Sequence, residues 1–153
     1  RAYVTNPLIR IDIGHASVAR FEKAFAAMFV ETVPLPDWPP WRHERPRVDA
    51  VIELERADAE LLLGDDRNRP DAVSITYRVC LYEPDGKEIR CWTTSAHNSH
   101  QRAIGECLDL RECVVPQVEV AMREAVALFL VAAERDTAVQ AWAEALRARG
   151  ARQ

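Results

Sequence analysis

The chain is poor in glycine, and its five glycines, Gly14, Gly64, Gly86, Gly105 and Gly150, stand far apart. A loop that cradles phosphate needs glycines in close succession, so that backbone amides can converge on the anion; the spacing excludes that class of nucleotide site. Long apolar runs are also missing. The nearest candidate, AVALFLVAA at 125–133, is under half of the ~20 residues that cross a bilayer as a helix. Positive charge is in deficit: 20 Lys and Arg against 24 Asp and Glu leave a formal net charge of −4. Binding to nucleic acid draws on a basic stripe, and none is expected here. No C-x-x-C pair occurs, nor any glycine-flanked serine of the nucleophile-elbow kind.

What is present describes an ordinary globular chain. Its 153 residues are 48% hydrophobic and 29% charged, and a chain of this length buries roughly 70% of its unfolded surface without help from crosslinks. One domain over 1–153 is expected. The opening RAYVTNP has no initiating methionine and reads as a processed or trimmed product; removal of an export segment would leave such a start, and so would ordinary trimming.

Four cysteines, Cys80, Cys91, Cys107 and Cys113, carry most of the information about compartment. Glu83-Pro84-Asp85-Gly86 is a turn signal between two alternating apolar runs. A turn centred on Asp85-Gly86 sets Cys80 opposite Cys91, and a four-residue loop Pro84–Lys87 keeps that pairing. Val79 then faces Trp92 on the other side of the ribbon. Opposed strand residues lie about 4.5–5.5 Å apart, inside the range a disulfide needs. Cys107 and Cys113, in CLDLREC, can close a small loop, although a regular helix would aim their thiols poorly. An even count with one well-placed pair favours an oxidising compartment. Two other readings compete with this. Four free thiols can pack as small hydrophobes in a cytosolic core. Alternatively, Cys91, His97, His100, Cys107 and Cys113 can ligate zinc, although their spacing matches no familiar zinc motif.

Along the chain, Ile9, Ile11 and Ile13 alternate with Arg10 and Asp12, which predicts a strand over Leu8–Ile13, broken by Gly14. Val18, Phe21, Phe25, Met28 and Phe29 recur at helical spacing and predict a helix over Ser17–Val30. The stretch at about 34–47 holds Pro34, Pro36, Pro39, Pro40 and Pro46, and prolines cannot donate to a strand ladder, so a loop is expected. Trp38, Pro39, Pro40 and Trp41 at its centre are candidate partner-binding residues, because tryptophan suits half-wet interfaces; the competing role is to fold back over the core edge. Val48–Leu63 alternates as a long strand, bulged near Arg56. Residues 64–71 read as a polar loop. Val73, Ile75, Tyr77, Val79 and Leu81 form the buried side of the next strand, with Lys87–Ser95 as its hairpin partner, and His97–Glu106 reads as irregular. A long helix is expected from about 116 to 149, starting at Pro116 and either kinked or split. Thr137-Ala-Val-Gln140 fits a capping box for its second part.

The expected fold is therefore α+β: a mostly antiparallel sheet of about four strands, in the order β-α-β-β-β-α, with the helices on one face. Ser95, Ser99, His97 and His100 cluster in sequence, and Asp49, Glu53 and Glu55 share a strand, but neither group carries a catalytic motif. No catalytic residue, cofactor or metal site is expected. The alternative is a cytosolic enzyme or zinc protein built on residues 91–113.

The order of elements, with VDAVIELE, the hairpin YRVCLYEPDGKEIRCW and the alanine-rich AMREAVALFL, resembles small bacterial cell-envelope lipoproteins. These are auxiliary lipoproteins of transport systems and, more distantly, the lipopolysaccharide-assembly lipoprotein. Their usual pattern is Y-x-v-x-l-x-d-x-x-G-x-x-v followed by an alanine-rich last helix, and the resemblance covers roughly residues 8–131. It implies a non-catalytic, periplasm-facing domain held to the outer membrane by a lipidated N-terminal cysteine, with a protein or lipid-like partner. No cysteine lies near Arg1, so the resemblance places such an anchor in a segment preceding this one. The Trp-Pro loop and CLDLREC are not part of that pattern.

Overall fold

The computed structural model describes residues 13–35, 48–62, 71–100 and 110–150. Six elements follow in the order α-β-β-β-α-α: α1 (Ile13–Met28), β1 (Val51–Leu62), β2 (Asp71–Tyr82), β3 (Glu88–His100), α2 (Leu110–Glu134) and α3 (Thr137–Gly150). The class is α+β, with an antiparallel sheet ordered β1-β2-β3. The strand expected at Leu8–Ile13 lies outside the described residues, except for Ile13, which opens α1. Gly14 sits in the first turn of that helix.

Strand β2 organises the core because its side chains alternate between two environments. Val73, Ile75, Tyr77, Val79 and Leu81 are each at most 1% exposed and face the helices. In β1, Ile52 and Leu54 share that side, opposite Leu81 and Val79. The register then shifts between Leu54 and Arg56, so Glu55 is the extra residue of a bulge. The shift moves the core side onto Ala57 and Leu61, which explains how a 12-residue strand keeps an apolar face although its apolar positions change parity.

The hairpin reaches its expected pairing by an unexpected route. The Gly86 amide donates to the Glu83 carbonyl and the Glu83 amide to the Lys87 carbonyl, each at 2.8 Å. Gly86 has φ of 89°, the left-handed region where a Cβ would clash. The loop is thus three residues, Pro84–Gly86, instead of the two or four expected, and it pairs Tyr82 with Glu88. That loop alone would set Cys80 against Arg90. A second bulge, at Ile89, restores the register, so that Leu81 meets Arg90, Cys80 meets Cys91 and Val79 meets Trp92. The strand then continues to His100. Residues 97–100, expected to be irregular, are part of β3.

The helices cover one side of this sheet through an aromatic cluster. Phe21 of α1 meets Tyr77 edge-on, with ring centres 5.0 Å apart, and Phe129 of α2 at 5.6 Å. Phe129 also meets Trp92 of β3 at 5.5 Å. Contacts of this geometry add to plain area burial. The buried stripe of α1 differs from the sequence pattern: Ser17, Phe21 and Ala24 point inward while Val18 is 50% exposed. The buried Tyr77 hydroxyl is the reason. It needs a polar partner and finds Ser17 Oγ at 2.9 Å, and Ser17 Oγ in turn donates to the Ile13 carbonyl at 2.5 Å.

Helix α2 begins six residues earlier than expected, so Pro116 lies in its second turn and not at its start. Its buried stripe includes Val114, Val126 and Ala133, while Leu128 is turned to solvent. The C-terminal helical region is in two parts. The junction is capped by Asp136, not by Thr137: its Oδ1 accepts the amides of Ala138 at 2.9 Å and Val139 at 3.3 Å. A carboxylate both accepts more strongly than a hydroxyl and complements the positive end of a helix. The same side chain, 9% exposed, pairs with Arg90 of β3 at 2.8 Å.

Burial pushes the Asp136 carboxyl up, but the Val139 and Ala138 amides and the Arg90 guanidinium outweigh it and hold the group below its ordinary range. A depressed carboxylate contributes stability above its unfolded pKa, and that contribution is lost as pH falls through the folded value. Asp136→Ala is therefore expected to cost about 1–2 kcal/mol in urea unfolding at neutral pH. The gap from the unsubstituted chain should close as pH drops below the carboxylate range, and a gap independent of pH would contradict this account.

Candidate functional site

The side of the sheet away from the helices is the candidate site, and it follows from the even-numbered positions of β2. Ser74, Thr76, Arg78 and Cys80 pair in register with His97, Ser95, Thr93 and Cys91 of β3. Side chains directly opposite on one face touch, so these form a ladder of polar pairs. Ser74 Oγ lies 3.0 Å from His97 Nδ1, and Thr76 Oγ1 lies 2.8 Å from Ser95 Oγ. Cys80 and Cys91 close the ladder with a disulfide, their Cα atoms 4.1 Å apart. That spacing belongs to the closer kind of opposed pair, the kind without backbone bonds between the two residues. Cys80 is fully buried although it lies on the solvent side.

The electrostatics of the face turn on the bulge in β1. Register sets Arg56 directly opposite Arg78, an unfavourable juxtaposition of like charges. Each arginine has its own acid. The bulged Glu55 pairs with Arg78 Nε and accepts a 2.9 Å hydrogen bond from the Tyr82 hydroxyl, while Asp58 pairs with Arg56 at 2.6 Å. The Arg78 hydrogen bond, followed by that from Tyr82, holds the Glu55 carboxyl below its usual value. Burial and the neighbouring Glu55 push the Tyr82 phenol up to about 12. Exposed pairs like these contribute little to stability but fix side-chain positions on the face.

The face can hold hydroxyl, imidazole and guanidinium groups in a fixed row, which suits recognition. The Ser74–His97 pair is open to water, and among the described residues no carboxylate bonds to His97. The row also bears on the proposed zinc ligands. Cys91 is in a disulfide, and so is Cys113, so neither offers a thiolate. His97 sits on the open face and His100 opposite Asp71, not in a loop as expected. Among the described residues no cysteine is free. Cys107 lies outside them, as do Trp38, Pro39, Pro40 and Trp41. Sequence reasoning set Cys80 opposite Cys91, on the other side of the ribbon from Val79 and Trp92, as found. It missed the Glu55–Arg78–Tyr82 cluster, because only the bulge turns Glu55 toward β2; the change of parity between Leu54 and Ala57 was the available signal.

No protein-family model matches the chain, and no curated protein matches it in sequence. Among solved structures, it is similar to the crystal structure of a minor lipoprotein from Acinetobacter baumannii, with a TM-score of 0.59 and 10% sequence identity. The match covers 80% of this chain and 84% of that one. The two share an architecture spanning most of both chains, and at this identity the likeness is one of fold.

The cluster on the open face can be read by tyrosine titration. Glu55→Gln removes the charge that the phenol donates to, so the ionisation of Tyr82 should move down from about 12 toward its ordinary value, with burial holding it above that value. Ultraviolet absorbance against pH measures this; an unmoved titration would mean that Glu55 does not touch the phenol.

Proposed function

We propose that the chain is a non-catalytic, periplasm-facing binding domain, the folded part of an outer-membrane lipoprotein that assists an envelope transport or assembly system. The Cys80–Cys91 disulfide carries this reading, since such crosslinks persist in oxidising compartments. The shared architecture with a bacterial lipoprotein supports it. The domain works by holding a protein or lipid-like partner. The polar ladder on the open face is one docking surface, and Trp38, Pro39, Pro40 and Trp41 are further candidate contacts, because tryptophan suits a half-wet boundary. Anchoring is supplied by a lipidated cysteine preceding the present residues. The chemistry required of the domain is rigid presentation of side chains, which the disulfide and the two bulges provide.

Protein isolated under thiol-trapping conditions from bacterial cells that carry its native export signal should take up no alkylating agent at Cys80 or Cys91 until reductant is added. Mass spectrometry measures the difference, and four alkylated cysteines before reduction would place the chain in a reducing compartment. Deleting residues 38–41 should weaken capture of the partner recovered by crosslinking in whole cells, by about tenfold if both tryptophans are buried in the contact, with the circular-dichroism spectrum and melting temperature of the domain retained. Equal capture by the deleted and the complete chain would remove these four residues from the site.

A further inference from the structure

The two edges of the sheet are unlike each other. β1 carries a bulge at Glu55 and the charges Glu53, Glu55, Arg56, Asp58 and Glu60 along its length, the devices by which proteins protect an edge from pairing. β3 has neither over most of its length, although α3 packs against part of it. From Cys91 to His100 it contains no Asp, Glu, Lys, Arg or Pro, and its register with β2 is unbroken from Arg90 onward. Among the described residues, no strand pairs with its outer side. The close Cys80–Cys91 spacing identifies which backbone groups point outward there. Cys91 belongs to a pair without mutual backbone bonds, and by alternation so do Thr93, Ser95 and His97, whose amides and carbonyls are directed away from β2.

A second feature lies above this edge. Helix α2 runs antiparallel to β3, tied to it by Arg90 to Asp136 at 2.8 Å, Thr94 Oγ1 to the Ala125 carbonyl at 3.1 Å, and Asn98 to Gln117 at 2.5 Å. Gln117 marks the side of α2 turned toward β3. At 100° per residue, Leu128 lies about 20° from it around the helix, Val131 about 40° and Val120 about 60°. These three are 46%, 44% and 37% exposed, an apolar flank standing over the open edge.

Both features share one centre. Thr94 is the middle residue of β3, and the Ala125 carbonyl that it bonds lies midway between Val120 and Val131. A two-fold axis through this point maps edge onto edge and flank onto flank. We propose that a second copy of this chain docks here, β3 pairing antiparallel with β3 about Thr94 to join the described strands of both copies into one sheet. In that register Thr93 meets Ser95 of the other copy and Cys91 meets His97, so all the opposed groups are outward-pointing and uncharged at the centre. Val120 of one copy comes over Val131 of the other. Isologous contacts require such self-complementarity, and here one axis satisfies the backbone and the apolar flank together. Glu124 also lies on the flank within a turn of the axis, so the dimer brings two like charges near each other.

Sedimentation of the full chain across a concentration range, with amide hydrogen exchange read at Ser95, tests this. The expected result is a reversible dimer, with the Ser95 amide slow at high concentration and fast on dilution. Leu128→Asp, at an exposed position that leaves folding intact, should weaken association by about tenfold or more. Glu124→Gln should strengthen it. A chain that stays monomeric overturns the proposal, as does association that Leu128→Asp leaves unchanged or that Glu124→Gln weakens. Slow exchange at Ser95 in the monomer at every concentration would mean that the edge is closed from within the chain. A free synthetic peptide of alternating Thr and Val that protects Ser95 while the chain remains monomeric would give the edge to a foreign strand. Either result also overturns the proposal.

Discussion

A slip of one residue between β2 and β3 would turn Tyr77, Val79 and Leu81 toward water and carry Arg78 and Cys80 into the core. Everything else in the structure depends on that register. Three local devices hold it: the left-handed Gly86 that closes a three-residue loop, the bulge at Ile89 that corrects the offset the loop introduces, and the disulfide joining Cys80 to Cys91. The first two act through backbone geometry and the third through a covalent bond, so they fail under different conditions. Reduction removes the crosslink and leaves the turn and the bulge in place.

The register divides the sheet into two surfaces with different tasks. On one, Tyr77 and Trp92 present rings to Phe21 and Phe129, and a single aromatic cluster joins α1, β2, β3 and α2. On the other, hydroxyl, imidazole and guanidinium groups stand in opposed pairs. The boundary is sharp because a strand has only two sides. Tyr77 sets a hydroxyl among the apolar side chains of β2 on the inner surface, and α1 accommodates it with Ser17 at a position that a purely apolar helix stripe would have given to Val18. The helix is thus rotated by a hydrogen bond relative to its own hydrophobic pattern.

Polar contacts also place the helices along β3. Arg90, Thr94 and Asn98 share the inner side of the strand and reach Asp136, Ala125 and Gln117 in turn. Apolar packing is non-directional and would let a helix slide, whereas three spaced hydrogen bonds fix its position along the strand. Asp136 concentrates two roles, ending the α2 region by capping α3 and receiving the ion pair from the sheet. The open face, the outer edge of β3 and the exposed flank of α2 then take fixed positions relative to one another.

Much of this was legible in the residues. Alternation over Val73–Leu81 and the Glu83–Gly86 turn were enough to place the hairpin, the opposition of Cys80 and Cys91, and the α+β class, because strand period and turn chemistry are local properties. The bulge near Arg56 could be read as well, from a change of parity. The length of the turn could not, since a loop of three residues followed by a bulge leaves the same distant pairing as a loop of two or four. The inward turn of Ser17, the pairing of Asp136 with Arg90 and the meeting of Glu55 with Arg78 and Tyr82 were decided by tertiary structure alone. Each depends on a partner from another element, brought near only once the core has closed. Periodicity in a sequence states which side of an element is apolar. It carries no record of the polar atom on another element that a buried hydroxyl or carboxylate will have to meet.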